Sequence, residues 1–136
     1  MRVLALDYGS ARCGCAVSDS TGTIVTPIAT LERPGTKRGL AALAKLVDER
    51  EVERVVVGLP LSLRGGESDQ TRETRAFAER LTRRLSPTVP VELFDERFTT
   101  RLAQRDLSRS ASEDSRAAAH LLEGWLAAHP AALPAG

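Results

Sequence analysis

Apolar and polar positions change period along the chain, and each change marks an element. Val3, Leu4, Ala5 and Leu6 form an unbroken apolar run that stops at Asp7. A run of this length, closed by a polar turn containing Gly9, predicts a strand buried on both faces. Residues 12–19 (RCGCAVSD) read as a second strand, residues 20–22 as a turn, and residues 23–31 as a third strand. Such short connections join antiparallel neighbours, so the first three strands form a meander. Pro27 has no N–H to give a ladder and suits an edge position or a bulge. Asp19 belongs to the hairpin turn that follows the second strand.

Beyond Arg33-Pro34-Gly35 the period lengthens. Thr36 can cap a helix, and Leu40, Leu43, Ala44 and Val47 recur at helical spacing, which carries that helix to about Arg50. Val55, Val56 and Val57 form a short buried strand, followed by the loop Gly58 to Ser68. Phe77, Ala78, Leu81 and Leu85 mark a second helix, ended by Ser86-Pro87. Residues 89–94 give a fifth strand, which stops at Asp95-Glu96. Helices over residues 99–107 and 111–128 follow, and the tail PAALPAG reads as frayed. Strands alternating with helices run parallel to the first strand. The expected fold is α/β: a five-stranded mixed sheet, three strands antiparallel and then two parallel, with helices on both faces. Residues 1–128 are expected to form one domain, and residues 129–136 a flexible tail.

Composition narrows the class without deciding it. The 136 residues are 42% apolar, enough for one core without disulfide or metal staples. The net charge of +1 carries no message about nucleic acid. Lysine occurs only at Lys37 and Lys45, so the basic residues are almost all arginine, the side chain that contacts phosphate bidentately. Cys13 and Cys15 are the only cysteines; two residues apart on a strand, they face the same way. No second pair completes a zinc site, and they read as buried free thiols in a reducing compartment. The chain shows no signal peptide and no apolar run that spans a bilayer, so the expected location is cytoplasmic, with no membrane partner.

The chemistry rests on acidic residues. Asp7 ends the first strand, Asp95 and Glu96 end the fifth, and Asp114 lies in the first turn of the last helix. Ligands of parallel sheets collect beyond the carboxyl ends of the strands. Asp7 reads either as a metal ligand or as a turn cap. Ala117, Ala118, Leu121, Leu122 and Trp125 follow Asp114 as an apolar stripe, which puts Asp114 on the face that packs against the body of the protein. An acid on that face needs a cation; the competing role is a favourable charge at the helix N-terminus. Ser110 and Glu113 match a capping box, which accounts for Glu113 and not for Asp114. Carboxylates converging without His or Cys suit a hard cation, Mg²⁺ or Mn²⁺. Two such ions can activate a water and stabilise a leaving oxygen in phosphodiester cleavage. A glycosidase would also use paired carboxylates, but aromatic residues, on which sugars stack, make up only 4% of the chain.

Other residues are suggestive. The Gly58 to Ser68 loop is not a P-loop; its glycines either admit a phosphate to backbone N–H groups or simply connect strand to helix. Arg97, Arg101, Arg105 and Arg109 recur every four residues, as a stripe that tracks a nucleic-acid backbone or as a solvated helix face. His120 falls off the apolar stripe and reads as a surface residue.

LALDYGSARCGCAVSD, VVVGLPLSLRGGES, FDERFTT and EDSRAAAHLLEGWL, in this order, resemble the YqgF-like family of bacterial proteins. That family is described as pre-16S rRNA nucleases and as Holliday junction resolvase-like proteins. The resemblance spans Val3 to Leu126. It implies a ribonuclease H-like fold, divalent-metal phosphodiester hydrolysis and a role in maturing the 5′ end of 16S ribosomal RNA, met free or within a pre-ribosomal particle. It carries over Asp7, Asp95, Glu96 and Asp114 as catalytic acids, with Asp7, Glu96 and Asp114 preferred as metal ligands. Gly58, Pro60 and Gly65 match the family's loop motif and are the implied substrate-side residues; Arg64 and the stripe residues Arg97, Arg101 and Arg105 join them as candidate substrate contacts. The short SRSASE segment before the last acid departs from the family, whose members often carry a longer segment rich in Lys and Gly. Two further readings stay open: a resolvase of four-way DNA junctions, for which a homodimer rather than a monomer is expected, and a non-catalytic RNA- or ribosome-binding factor that keeps the fold.

Overall fold

A computed structural model describes residues 1–98 and 111–130. Five strands form one sheet: β1 (Val3–Asp7), β2 (Arg12–Ser18), β3 (Val25–Glu32), β4 (Arg54–Leu59) and β5 (Val91–Asp95). Their order is β3-β2-β1-β4-β5; β2 runs antiparallel to both β1 and β3, and β4 and β5 run parallel to β1. Helices α1 (Lys37–Glu49) and α2 (Asp69–Arg84) cover one face, and α3 (Ala111–Ala128) covers the other. The mixed sheet and its two helical layers agree with the ribonuclease H-like expectation.

Period-two alternation divides the core. Leu4 and Leu6 of β1 and Val55 and Val57 of β4 pack with Leu43, Val47, Phe77 and Leu81 under α1 and α2. Val3, Ala5 and Val56 pack with Ala118, Leu121, Leu122 and Trp125 under α3. The same alternation turns Asp7 toward the α3 face. Cys13 and Cys15 share the α1–α2 face, buried and unoxidised, as their spacing predicts.

Local chemistry sets the ends of the elements. Thr36 caps α1 by accepting from the Gly39 N–H at 3.0 Å. Ser68 and Thr71 form a reciprocal capping box at the start of α2. β3 begins at Val25 instead of residue 23, because the Thr23 and Ile24 N–H groups are taken by the Asp19 carboxylate at 3.0 and 3.2 Å. β5 begins at Val91 instead of residue 89: Val89 closes a turn onto the Ser86 carbonyl, and Pro90 has no N–H to give. Pro27 lies on the edge strand β3, where no further strand needs its missing donor. After β5 the chain makes a single 3₁₀ turn, Glu96–Phe98. The expected 99–107 helix, the Ser110 half of the capping box and the tail beyond residue 130 lie outside the described residues.

α3 sits close to β2 because Gly14 leaves it room. A Cβ at Gly14 would overlap the main-chain carbonyl of Asp114. The β2–β3 register slips between Cys13 and Cys15, and the Cys15 N–H instead reaches the hydroxyl of Ser115 at 3.3 Å. At its other end α3 is held by Trp125, whose indole N–H donates to Glu92 at 2.8 Å beside Arg54. Gly14→Ala should therefore lower the denaturation midpoint, with a cost of about 1–3 kcal/mol for the forced displacement of a backbone. Urea unfolding followed by circular dichroism reads this, and an unchanged midpoint would remove the close approach as a determinant of the fold.

Candidate active site

The carboxyl ends of β1, β4 and β5 lie side by side. Leu6 pairs with Val57, and Gly58 is the next residue of β4 alongside Asp7. Gly58 in turn pairs with Phe94, and Leu59 with Asp95. Glu96 follows immediately, on the α3 face by alternation. Its carboxylate lies over Gly58: a Cβ there would come within 2.8 Å of Oε2 and 3.0 Å of Cγ. Across the sheet Asp7 pairs with Gly14, and Gly14 carries the Asp114 main chain. Two glycines inside strands thus seat two acids, and a third ends the strand between them. The structure brings Asp7, Glu96 and Asp114 to one edge and one face of the sheet.

Asp95 takes a different part. Arg97 Nε donates to both its oxygens, at 3.0 and 2.9 Å, and Nη2 donates to Oδ2 at 2.6 Å. The Arg97 main-chain N–H adds a bond of 2.9 Å to Oδ1. The Arg97 side-chain hydrogen bonds hold the Asp95 carboxyl below the usual carboxylate range, and that main-chain bond assists. The same guanidinium donates to the Leu63 carbonyl at 3.1 Å and lies beside Gly65. Arg97 therefore ties the end of β5 to the loop after β4.

That loop is fastened at several points. Thr71, fully buried in α2, donates its hydroxyl to the Pro60 carbonyl. Ser62 and Gly66 close a turn on each other, and Glu67 takes a two-pronged contact from Arg75. Arg64 and Leu63 stand exposed at the tip, Leu63 at 91%. Arg101, Arg105 and Arg109 lie outside the described residues, so Arg97 alone of the expected stripe is placed. His120 is on the surface beside Glu123, as expected.

Asp114 has a partner the sequence reading did not single out. Arg12, the first residue of β2, donates from Nε to Asp114 Oδ2 at 2.5 Å. Negative charge at Asp7 and Asp114 also reaches the buried Cys13 thiol. That thiol is pushed well up by its hydrogen bond with Cys15, then by burial, then by the charges of Cys15, Asp7 and Asp114. Tyr8, next to Asp7, stacks on Phe77 with ring centroids 4.4 Å apart, and burial followed by Glu73 raises its hydroxyl pKa. Among the described residues, no three His, Cys, Asp or Glu side chains form a ready cation cage. The donors gathered at the edge are nevertheless all carboxylate oxygens, the cysteines face the opposite side of the sheet, and Glu96 occupies a cradle that a Cβ would fill. This donor set fits a hard divalent cation.

Comparison with known proteins gives the chain its relatives. A family model described as "RuvX: Holliday junction resolvase" matches residues 1–128. The chain belongs to the RuvX family. Among RuvX relatives, the "Putative pre-16S rRNA nuclease" of Myxococcus xanthus (strain DK1622) is 42% identical, with 95% of this chain and 89% of that protein aligned. The protein of the same description from Chloroflexus aurantiacus (strain ATCC 29366 / DSM 635 / J-10-fl) is 40% identical, over 91% of this chain and 85% of that protein. The RuvX fold is also that of Thermus thermophilus RuvC, solved alone and with a Holliday junction substrate. The junction complex superposes with a TM-score of 0.61 at 17% identity, over 99% of both chains. The YqgF-like resemblance read from the motifs agrees with these relatives.

Sequence reasoning passed over Arg12, Gly14, Thr71 and Ser115. A glycine inside each of two buried strands was the available signal, since such glycines mark close backbone approach. The Asp95–Arg97 pair also makes a pH prediction. Because the folded pKa of Asp95 is depressed, its contribution is present above the ordinary carboxylate pKa and is lost as pH falls through the depressed folded value. Below about pH 4 the stability of the native chain should fall more steeply than that of Arg97→Ala. Parallel slopes in urea titrations across that range would remove the pair from the stability of the β5 end.

Proposed function

We propose that this chain is a divalent-cation-dependent nuclease that hydrolyses a phosphodiester bond at the 5′ end of pre-16S ribosomal RNA. The observation that carries this reading is the gathering of Asp7, Glu96 and Asp114 at one edge and on one face of the sheet. These three acids would hold Mg²⁺ or Mn²⁺. The chemistry such a cation would supply there is activation of a water molecule and stabilisation of the departing oxygen. The relatives' description as pre-16S rRNA nucleases supports the RNA substrate.

The chain's own residues supply position. Asp7 is fixed by a strand paired on both sides. Gly58 leaves space for Glu96 to lie flat against the sheet. Asp95, committed to Arg97, is a positioning residue that holds the Gly58 to Ser68 loop next to the acids. Arg64, with Gly65 and Pro60 shaping the same loop, faces the nucleic acid. The partner is RNA, met free or within a pre-ribosomal particle. A second reading, cleavage of four-way DNA junctions by a homodimer, is favoured by the family's description as a Holliday junction resolvase.

Native chain with Mn²⁺ or Mg²⁺ should cut a labelled 16S precursor 5′ leader. Asp7→Asn, Glu96→Gln and Asp114→Asn should each lose at least about a hundredfold, since even outer partners of a metal site commonly cost 10- to 100-fold. Paired symmetric nicks in a four-way junction, with the leader intact, would transfer the reading to the resolvase. Tight RNA binding that Asp7→Asn leaves unchanged, with no cutting of either substrate, would replace both by a binding factor.

A further inference from the structure

The proposed chemistry has no use for the Arg12–Asp114 ion pair as it stands. A carboxylate whose task is to hold a divalent cation is bonded instead to a guanidinium at 2.5 Å. Neither backbone can retreat. The Asp114 carbonyl rests on Gly14, and the next residue, Ser115, is bonded to Cys15. Arg12 opens β2, pairs with Glu32, and has Gly9 packed on its carbonyl, where a Cβ would come within 2.8 Å. Only the two side chains can rearrange.

Arg12 has somewhere to go. Its side chain is 41% exposed, against 18% for Asp114. Arg12 is also among the residues that line an open cleft of about 660 Å³ with residues 8–11, Gln70 and Glu73, next to the end of β1. Arg12 is the only cation among these lining residues, and Glu73 the only acid. Among the described residues, a phosphate entering this cleft meets no other positive lining group. A guanidinium suits it, because its N–H fork matches phosphate oxygens in pairs.

We propose that Arg12 is a resident counter-ion of Asp114 that a divalent cation displaces, and that the released guanidinium then binds a phosphate of the nucleic acid. The inference rests on the reading of Asp7, Glu96 and Asp114 as cation-binding acids. Charge stays matched throughout: one ion pair opens, the carboxylate takes the metal ion, and the guanidinium takes a phosphate. Without nucleic acid, a metal ion binds against the Arg12–Asp114 attraction and against repulsion from a cation close by. With a phosphodiester in the cleft, Arg12 has a new partner and that opposition falls. Cation and nucleic acid therefore bind cooperatively, and the coupling is reciprocal. The site loads fully only when a strand is present to be cut.

The test is Mn²⁺ binding by calorimetry to the native chain, Arg12→Gln, Arg12→Lys and Asp7→Asn, with and without a short 2′-O-methyl RNA that resists cleavage. Arg12→Gln should bind Mn²⁺ up to about fivefold more tightly than native without RNA, the upper range for a part-exposed ion pair. RNA should tighten Mn²⁺ binding to the native chain by a larger factor than to Arg12→Gln, with Arg12→Lys in between. Native-like or weaker Mn²⁺ binding by Arg12→Gln, with Asp7→Asn clearly weakened, would overturn the displacement while keeping the acids as ligands. Unchanged affinity in Asp7→Asn would instead overturn the ligand reading itself. Should Arg12→Gln fail to fold, the native chain decides by nitrogen-15 NMR. The Arg12 Nε–H resonance should move as Mg²⁺ saturates the site, and a resonance that stays in place at saturation would overturn the proposal.

Discussion

The seat of α3 on Gly14 is the constraint on which the rest of the molecule turns. At this point helix and strand meet backbone to backbone, with no side chain between them. The contact sets the height of α3 above the sheet, and with it the depth to which Leu121, Leu122 and Trp125 enter the second core layer. It also sets where Asp114 stands relative to Asp7, the strand partner of Gly14. A core requirement and a site requirement are met by one missing methyl group. The small residues Ala5, Ala16 and Ala118 on the same face let the helix lie close along its length.

The neighbours Asp95 and Glu96 show how alternation separates structural from chemical duty. They are adjacent in sequence, but the strand turns them to opposite faces. Asp95 faces the loop and is consumed by Arg97; Glu96 faces α3 and lies over Gly58. The bonds of Arg97 to Leu63 and of Thr71 to Pro60 bring the loop back over the strand ends. The backbone carbonyls of Pro60 and Leu63 are thus held by side chains from outside the loop. This leaves the Leu63-Arg64 tip exposed without leaving it loose.

Much of this was legible in the chain. The apolar run of β1, the meander, the Thr36 cap and the apolar stripe of α3 each follow from local sequence, and local sequence needs no knowledge of partners. Strand starts were less legible. At Thr23 and Ile24 a side-chain carboxylate competed for the backbone donors, and at Pro90 a donor was missing. The acids were visible as strand and helix ends, because a carboxylate there requires an explanation. Arg12 was not visible, because its partner lies 102 residues away and an arginine at a strand start is unremarkable alone. Long-range pairs of this kind arise only once the sheet order and the seat of α3 are fixed.

The far end of α3 has a use unrelated to chemistry. Trp125 is the only tryptophan in the chain, and it is 2% exposed. Its ring stacks on His129 at 4.3 Å, its N–H is bonded to Glu92, and the Arg54 guanidinium lies 5.9 Å from its centre. Light emitted by this one indole therefore comes from a single, well-defined environment under α3. The molecule carries a built-in optical gauge of whether its last helix is docked, and an undocked helix is one that no longer delivers Asp114 to the edge of the sheet.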